Sequence, residues 1–131
     1  MKFPVGVTDN RLESSGPLAV FTEPKACDSR GPIWLADLAA GTVRKLYVPP
    51  VAVCIFEPAV SGQTVAWLEA QGASTWRVKS LRIGASTPTT IATFRAPTEQ
   101  AGVIRLDDQA LAYVEPGPAG EGDTIHLLAW P

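Results

Sequence analysis

The chain has 131 residues, 46% of them apolar and 18% charged, which is enough apolar material for one folded core and too much for a disordered chain. With 11 basic and 13 acidic residues it carries a net charge of −2 and no run of like charge, which argues against nucleic-acid binding and against an anionic membrane surface. The longest apolar stretch, near Val48–Phe56, contains two prolines and is far too short to span a bilayer.

In chain order, Met1–Asn10 lacks the apolar segment of a secretory signal, so the compartment stays open: either the protein is cytosolic or its true N-terminus lies upstream. The turn residues Leu12–Pro17 then lead into a short apolar strand, Leu18–Glu23. A polar loop, Pro24–Pro32, separates it from a strand at Ile33–Leu38, and the turn Ala39–Thr42 opens a further strand at Val43–Val48. The same sequence of events follows twice more. Cys54–Val60, Val65–Glu69, Trp76–Leu81 and Thr89–Phe94 read as four strands, as do Val103–Leu106, Leu111–Glu115 and Ile125–Trp130 as three. The loop between the last two, Pro116–Asp123, is rich in proline and glycine.

The self-similarity is clearest in the strands Leu18-Ala19-Val20-Phe21, Val65-Ala66-Trp67-Leu68 and Leu111-Ala112-Tyr113-Val114. Aligning the shared alanines at 19, 66 and 112 spaces the copies 47 and then 46 residues apart. No window holds a helical period for ten residues without a proline or glycine in it. Short strands at close, regular spacing, with 12 prolines and 11 glycines between them, predict an all-β chain of antiparallel four-stranded meander sheets. A four-stranded unit of this length is the size of a propeller blade. The expectation is therefore one domain, residues 1–131, holding about two and three-quarter blades of an incomplete β-propeller. The blades would span about 5–48, 53–95 and 101–131, the last lacking its outer strand.

The stretches PAVSGQTVAWLE, IWLADLAAGTVRKL and IRLDDQALAYVE resemble the repeats of TolB-like propellers and, more broadly, WD-repeat-like propellers. In those repeats a Ser-Gly or Asp-rich turn precedes a VAW or VAY strand, and a strand ending in Asp-Leu meets a small-Gly turn. Asp37-Leu38 followed by Gly41 matches that pattern, Ser80-Leu81 followed by Gly84 matches it in part, and Ala129-Trp130 departs from it. The resemblance covers nearly the whole chain from about Asp9 and implies the fold far more than any activity. Read as an incomplete propeller, the chain leaves two terminal blade faces and the edge at Ile125–Trp130 uncovered. The missing blades would come from a longer chain, or from a homo-oligomer in which Phe3–Val7 of one copy pairs beside Ile125–Trp130 of another.

No residue set identifies a reaction, a cofactor or a metal. Cys27 and Cys54 fit no metal pattern. As loop and strand-end residues of neighbouring blades they make a candidate disulfide, closing about 27 residues and stabilising by about 3 kcal/mol. Such a bond would place the protein in an oxidising, extracytoplasmic compartment. His126, the one histidine, has no accompanying nucleophile motif and reads as structural. Asp107-Asp108 read as a solvated turn, Glu69 and Glu115 as equivalent strand ends, and the four tryptophans as packing residues. Lys25, Asp28 and Arg30 in one long loop, and Glu121 and Asp123 in the other, are the candidate contact residues, because loops on rigid scaffolds carry function. The function these features suggest is a non-catalytic scaffold binding a protein or small ligand. The alternatives are the propeller portion of a multidomain hydrolase of the prolyl-oligopeptidase type, its catalytic domain elsewhere, and a self-assembling lectin-like ring.

Overall fold

The structure, a computed structural model, describes residues 13–22, 30–72, 74–96, 104–118 and 121–129. There is no helix among them. The first four strands are β1 Glu13–Ser15, β2 Leu18–Thr22, β3 Ile33–Asp37 and β4 Thr42–Tyr47. Then come β5 Cys54–Ser61, β6 Thr64–Gln71, β7 Thr75–Arg82 and β8 Thr89–Arg95, and finally β9 Ile104–Leu106, β10 Ala110–Glu115 and β11 Thr124–Ala129. They form three antiparallel sheets, each following chain order: β1 to β4, β5 to β8 and β9 to β11. The all-β, meander expectation holds.

Local chemistry places the turns. Ser15 pairs with Leu18 and Ser61 with Thr64, so both hairpins close over two residues led by a glycine. Gly16 and Gly62 sit at φ 56° and 55°, a conformation that costs other residues dearly and suits the twist of a tight hairpin. The Gly62 N–H donates to Ser15 Oγ at 3.3 Å, joining the first hairpin to the second. In the third sheet Asp107 Oδ1 accepts from the Gln109 and Ala110 N–H groups at 2.8 and 2.7 Å, which identifies it as a turn-forming residue. Pro58 falls where the β5–β6 register shifts, between Phe56 and Ala59, a place where a missing N–H breaks no regular ladder.

The ladders correct the alignment of the alanines. Ser15↔Leu18 and Ser61↔Thr64 are matching hairpin closures, and Val60↔Val65 matches Leu106↔Leu111. Val20, Ala66 and Ala112 therefore occupy one position, 46 residues apart each time, and Ala19 corresponds to Val65 and Leu111. The spacing of 47 arose from matching alanine to alanine, whereas the first hairpin, closed by Gly16-Pro17, puts Val20 and not Ala19 at that position. The error matters because a slip of one residue exchanges the two faces of a strand.

In the corrected register each sheet has a back face, carrying Phe21, Trp67 or Tyr113, and a front face, carrying Val20, Ala66 or Ala112. The front of the first sheet (Val20, Ile33, Leu35) packs on the back of the second (Val65, Trp67, Leu81). The front of the second (Ala66, Leu68, Trp76, Val78, Phe94) packs on the back of the third (Ile104, Leu111, Tyr113). The stacking is thus head-to-tail, with β5 against β1 and β2, and β9 against β5 and β6. Trp67, Trp76 and Leu68 are fully buried, each contributing about 1.5–3 kcal/mol of transfer free energy. Strand β6 is buried at six successive positions because sheets cover both its faces. An aromatic row, Phe56, Trp76, Phe94 and Tyr113, crosses from the second sheet into the third at centroid spacings of 5.3, 6.2 and 6.0 Å.

Candidate ligand-binding groove

The Trp-x-Glu of β6 and the Tyr-x-Glu of β10 lie 46 residues apart, on matching back faces. Across the ladder, Trp67 faces Lys79 and Tyr113 faces His126. Each pair of strands thereby assembles an aromatic ring, a carboxylate and a nitrogen base. In the second sheet, Glu69 Oε1 lies 3.4 Å from Lys79 Nζ, and its Oε2 accepts from Trp67 Nε1 at 3.2 Å. In the third, His126 Nε2 lies 2.8 Å from Glu115 Oε2, and the imidazole stacks on Tyr113 at 4.6 Å.

The two sets differ in cover. Tyr47 of the first sheet lies over Trp67 at 5.1 Å, and Glu69 is only 4% exposed. Glu69 is therefore a buried acid and not the strand end expected of it: β6 runs on to Gln71, and the sheet stacking encloses the carboxylate. Burial, and then the Glu69 charge, push the Tyr47 phenol above its usual range. Burial, and then Glu115, do the same to Tyr113. Around Glu115 and His126, however, the packing opens. Their side chains stay about one-third exposed, and they line a groove of about 480 Å³. Arg95 at the end of β8, Glu121, Thr124 and the Pro116-Gly117-Pro118 turn complete its walls.

The loop from β10 to β11 is held in shape by its own hydrogen bonds. The Gly117 N–H donates to Asp123 Oδ1 at 3.2 Å, and the Glu121 N–H to the Pro118 carbonyl at 2.9 Å. Position 117 must be glycine, since a Cβ there would collide with the Gly122 carbonyl oxygen. The two prolines stiffen the entry. The groove therefore offers fixed walls with two carboxylates, one guanidinium, one imidazole and one hydroxyl.

Of the sequence-predicted contact residues among the described residues, only Glu121 lines this groove. Asp123 supports the loop from behind. Arg30 donates from Nε to the Pro49 carbonyl at 2.7 Å, tying the connection before β3 to the one after β4. Lys25 and Asp28 lie outside the described residues. Arg95, Thr124 and the Glu115–His126 pair escaped the sequence reading of the site. The spacing Trp67/Glu69 and Tyr113/Glu115, set against a base on the next strand, was the signal for the pair. Arg95 reaches the groove from the neighbouring sheet, which no local pattern reveals.

Among the described residues no cluster of three or more His, Cys, Asp or Glu side chains stands ready for a metal. Cys54 is disulfide-bonded, and Cys27, the other cysteine of the chain, lies outside the described residues. Denatured without reductant, the protein is expected to show no reactive thiol; two titrating thiols would remove the cross-link. A scan against protein-family models and a search of the curated proteins find no match to this chain.

Proposed function

We propose that the chain is a non-catalytic binding scaffold, built as part of a β-propeller of the TolB-like or WD-repeat-like kind, that receives a small ligand or a protein segment in the groove beside β11. The head-to-tail stacking of front on back faces supports the propeller reading, since a single rotation repeated from sheet to sheet generates a ring of radial blades. One observation carries the binding reading. The carboxylate–base pair enclosed in the second sheet has a counterpart in the third that opens onto a shaped, polar groove. The same comparison supports a non-catalytic role for His126. Its pairing with Glu115 repeats the Glu69–Lys79 pair, so sheet architecture accounts for it without chemistry. The bonded state of Cys54 supports an oxidising compartment.

Isotope-labelled protein titrated with small-ligand and short-peptide libraries tests this. Binders are expected to shift the amide signals of Arg95, Glu115, Glu121, Thr124 and His126. Arg95→Ala combined with Glu121→Ala is expected to weaken them about tenfold or more, the effect of losing charge-assisted hydrogen bonds. Libraries without a binder, binders that map elsewhere, or affinities untouched by the double substitution would each remove the groove from the proposal.

A further inference from the structure

The groove beside β11 carries charges that its own walls leave unpaired. Glu115 engages His126 across the ladder, Oε2 to Nε2 at 2.8 Å. Arg95 and Glu121 line the same groove from different sheets, one at the end of β8 and the other in the loop between β10 and β11. Both are exposed, and neither side chain makes an ion pair or a hydrogen bond with any described residue. The second sheet shows the contrast: there Lys79 neutralises Glu69 inside the protein, and Arg77 donates to Gln71 at 2.7 Å.

A ligand of a single sign fits such a groove poorly. An anion drawn to Arg95 meets the charges of Glu115 and Glu121, and a cation drawn to the carboxylates meets Arg95. A ligand with one charge of each sign, set apart at its two ends, satisfies both walls. We propose that the groove takes a short peptide with free termini, its carboxylate on the Arg95 guanidinium and its ammonium on Glu121. The assignment rests on the groove being the binding site proposed above and adds the class of ligand. The guanidinium fork matches a carboxylate with two parallel hydrogen bonds, and the Glu121 carboxylate accepts from an ammonium. Size agrees with a peptide: a cube of the groove's volume has an edge of about 8 Å, the reach of two to three extended residues at about 3.3–3.6 Å each. Ala96, Pro116 and Pro118 offer apolar wall for small side chains, while the Thr124 hydroxyl and Glu115 Oε1 can accept from peptide N–H groups. The Gly117–Asp123 hydrogen bond holds the loop that carries Glu121 in shape before a ligand arrives, which lowers the ordering cost of binding.

Tripeptides built from alanine, leucine and proline test the proposal, each prepared with free ends, N-acetylated, C-amidated and blocked at both ends. Binding to the 131-residue protein is read by calorimetry and by amide-signal titration. The free tripeptides are expected to bind and to shift the signals of Arg95, Glu121 and His126. Blocking either end is expected to weaken binding about tenfold or more, the effect of losing one charge-assisted pairing. Arg95→Ala should erase the difference between acid and amide and keep that between amine and acetyl. Glu121→Gln should do the reverse. Neither side chain has a described partner to lose, so both variants are expected to melt with the wild type. Free tripeptides that fail to bind, blocked ones that bind as tightly, or a discrimination that survives the substitution meant to remove it overturns the proposal. Groove binders from the wider libraries that are indifferent to end charge would keep the binding site and remove the peptide-terminus assignment. The absence of any groove binder removes both.

Discussion

Trp67→Ala is expected to destabilise the protein by about 3–5 kcal/mol, a large share of the total stability of a chain this size. Three physical losses combine at this one side chain. Its indole is 0% exposed and fills the joint between the first and second sheets, among Val20, Ile33, Leu35 and Leu81. Removing it leaves a cavity that both sheets, each hydrogen-bonded along its strands, cannot collapse to fill. The tilted contact with Tyr47 at 5.1 Å disappears. The Nε1–H donor to Glu69 also goes, leaving the buried carboxylate to its contact with Lys79. Urea denaturation followed by circular dichroism measures the change. Trp34→Ala is the control, since Trp34 is only half-buried and lies on the back of the first sheet, with Lys45 Nζ 5.5 Å from its ring centre. A loss at Trp67 no greater than at Trp34 would contradict the joint between the sheets.

The Glu69–Lys79 pair gives the second large effect. Lys79→Met is expected to cost about 3 kcal/mol, because it strands a carboxylate whose side chain is 5% exposed. The partial exposure of Lys79, 17%, keeps the figure at the lower end of what breaking a buried pair costs. Replacing both residues, Glu69→Leu with Lys79→Met, is expected to recover most of that loss, since no charge is then left enclosed. A double-mutant cycle on unfolding free energies measures the coupling. The Tyr47 phenol is an independent reporter. Its pKa is raised by burial and then by the Glu69 charge, so Glu69→Leu should move its titration midpoint down, with the burial part remaining. A group held above its unfolded value adds stability that is fully present below pH 10, the unperturbed tyrosine value, and is lost as pH rises through the raised value. The wild type should therefore lose more stability in that alkaline window than the Glu69→Leu, Lys79→Met protein. Absorbance titration in a Tyr113→Phe background isolates Tyr47 from the other perturbed phenol.

The Trp-x-Glu and Tyr-x-Glu spacings were visible, and so was the aromatic character of each strand. Glu69 nevertheless read as a strand end, because a carboxylate following an apolar run ordinarily stops a buried strand. Nothing local announces that Lys79, on the next strand, and the first sheet, more than 20 residues upstream, together enclose it. Arg95 was missed for the same reason: it ends a strand of one sheet and serves a groove in the next. The loop residues fared unevenly, with Glu121 in the groove, Asp123 and Arg30 holding backbone, and Lys25 and Asp28 outside the described residues.

Strand content, turn positions and the order of the meanders follow from local rules. Glycine takes positive φ, proline and aspartate close turns, and short apolar runs between them have no helical period to follow. These depend on a residue and its near neighbours, so the chain alone determines them. Which face of each sheet is front or back, whether an acid is buried or solvated, and where a groove opens depend on what the adjacent sheet presents. The one-residue misplacement of Ala19 shows the divide. Side chains along a strand alternate every residue, so strand existence survives a slip of one, while facing reverses completely. Only the packing of one sheet on another penalises the wrong choice, and only the tertiary structure reveals it.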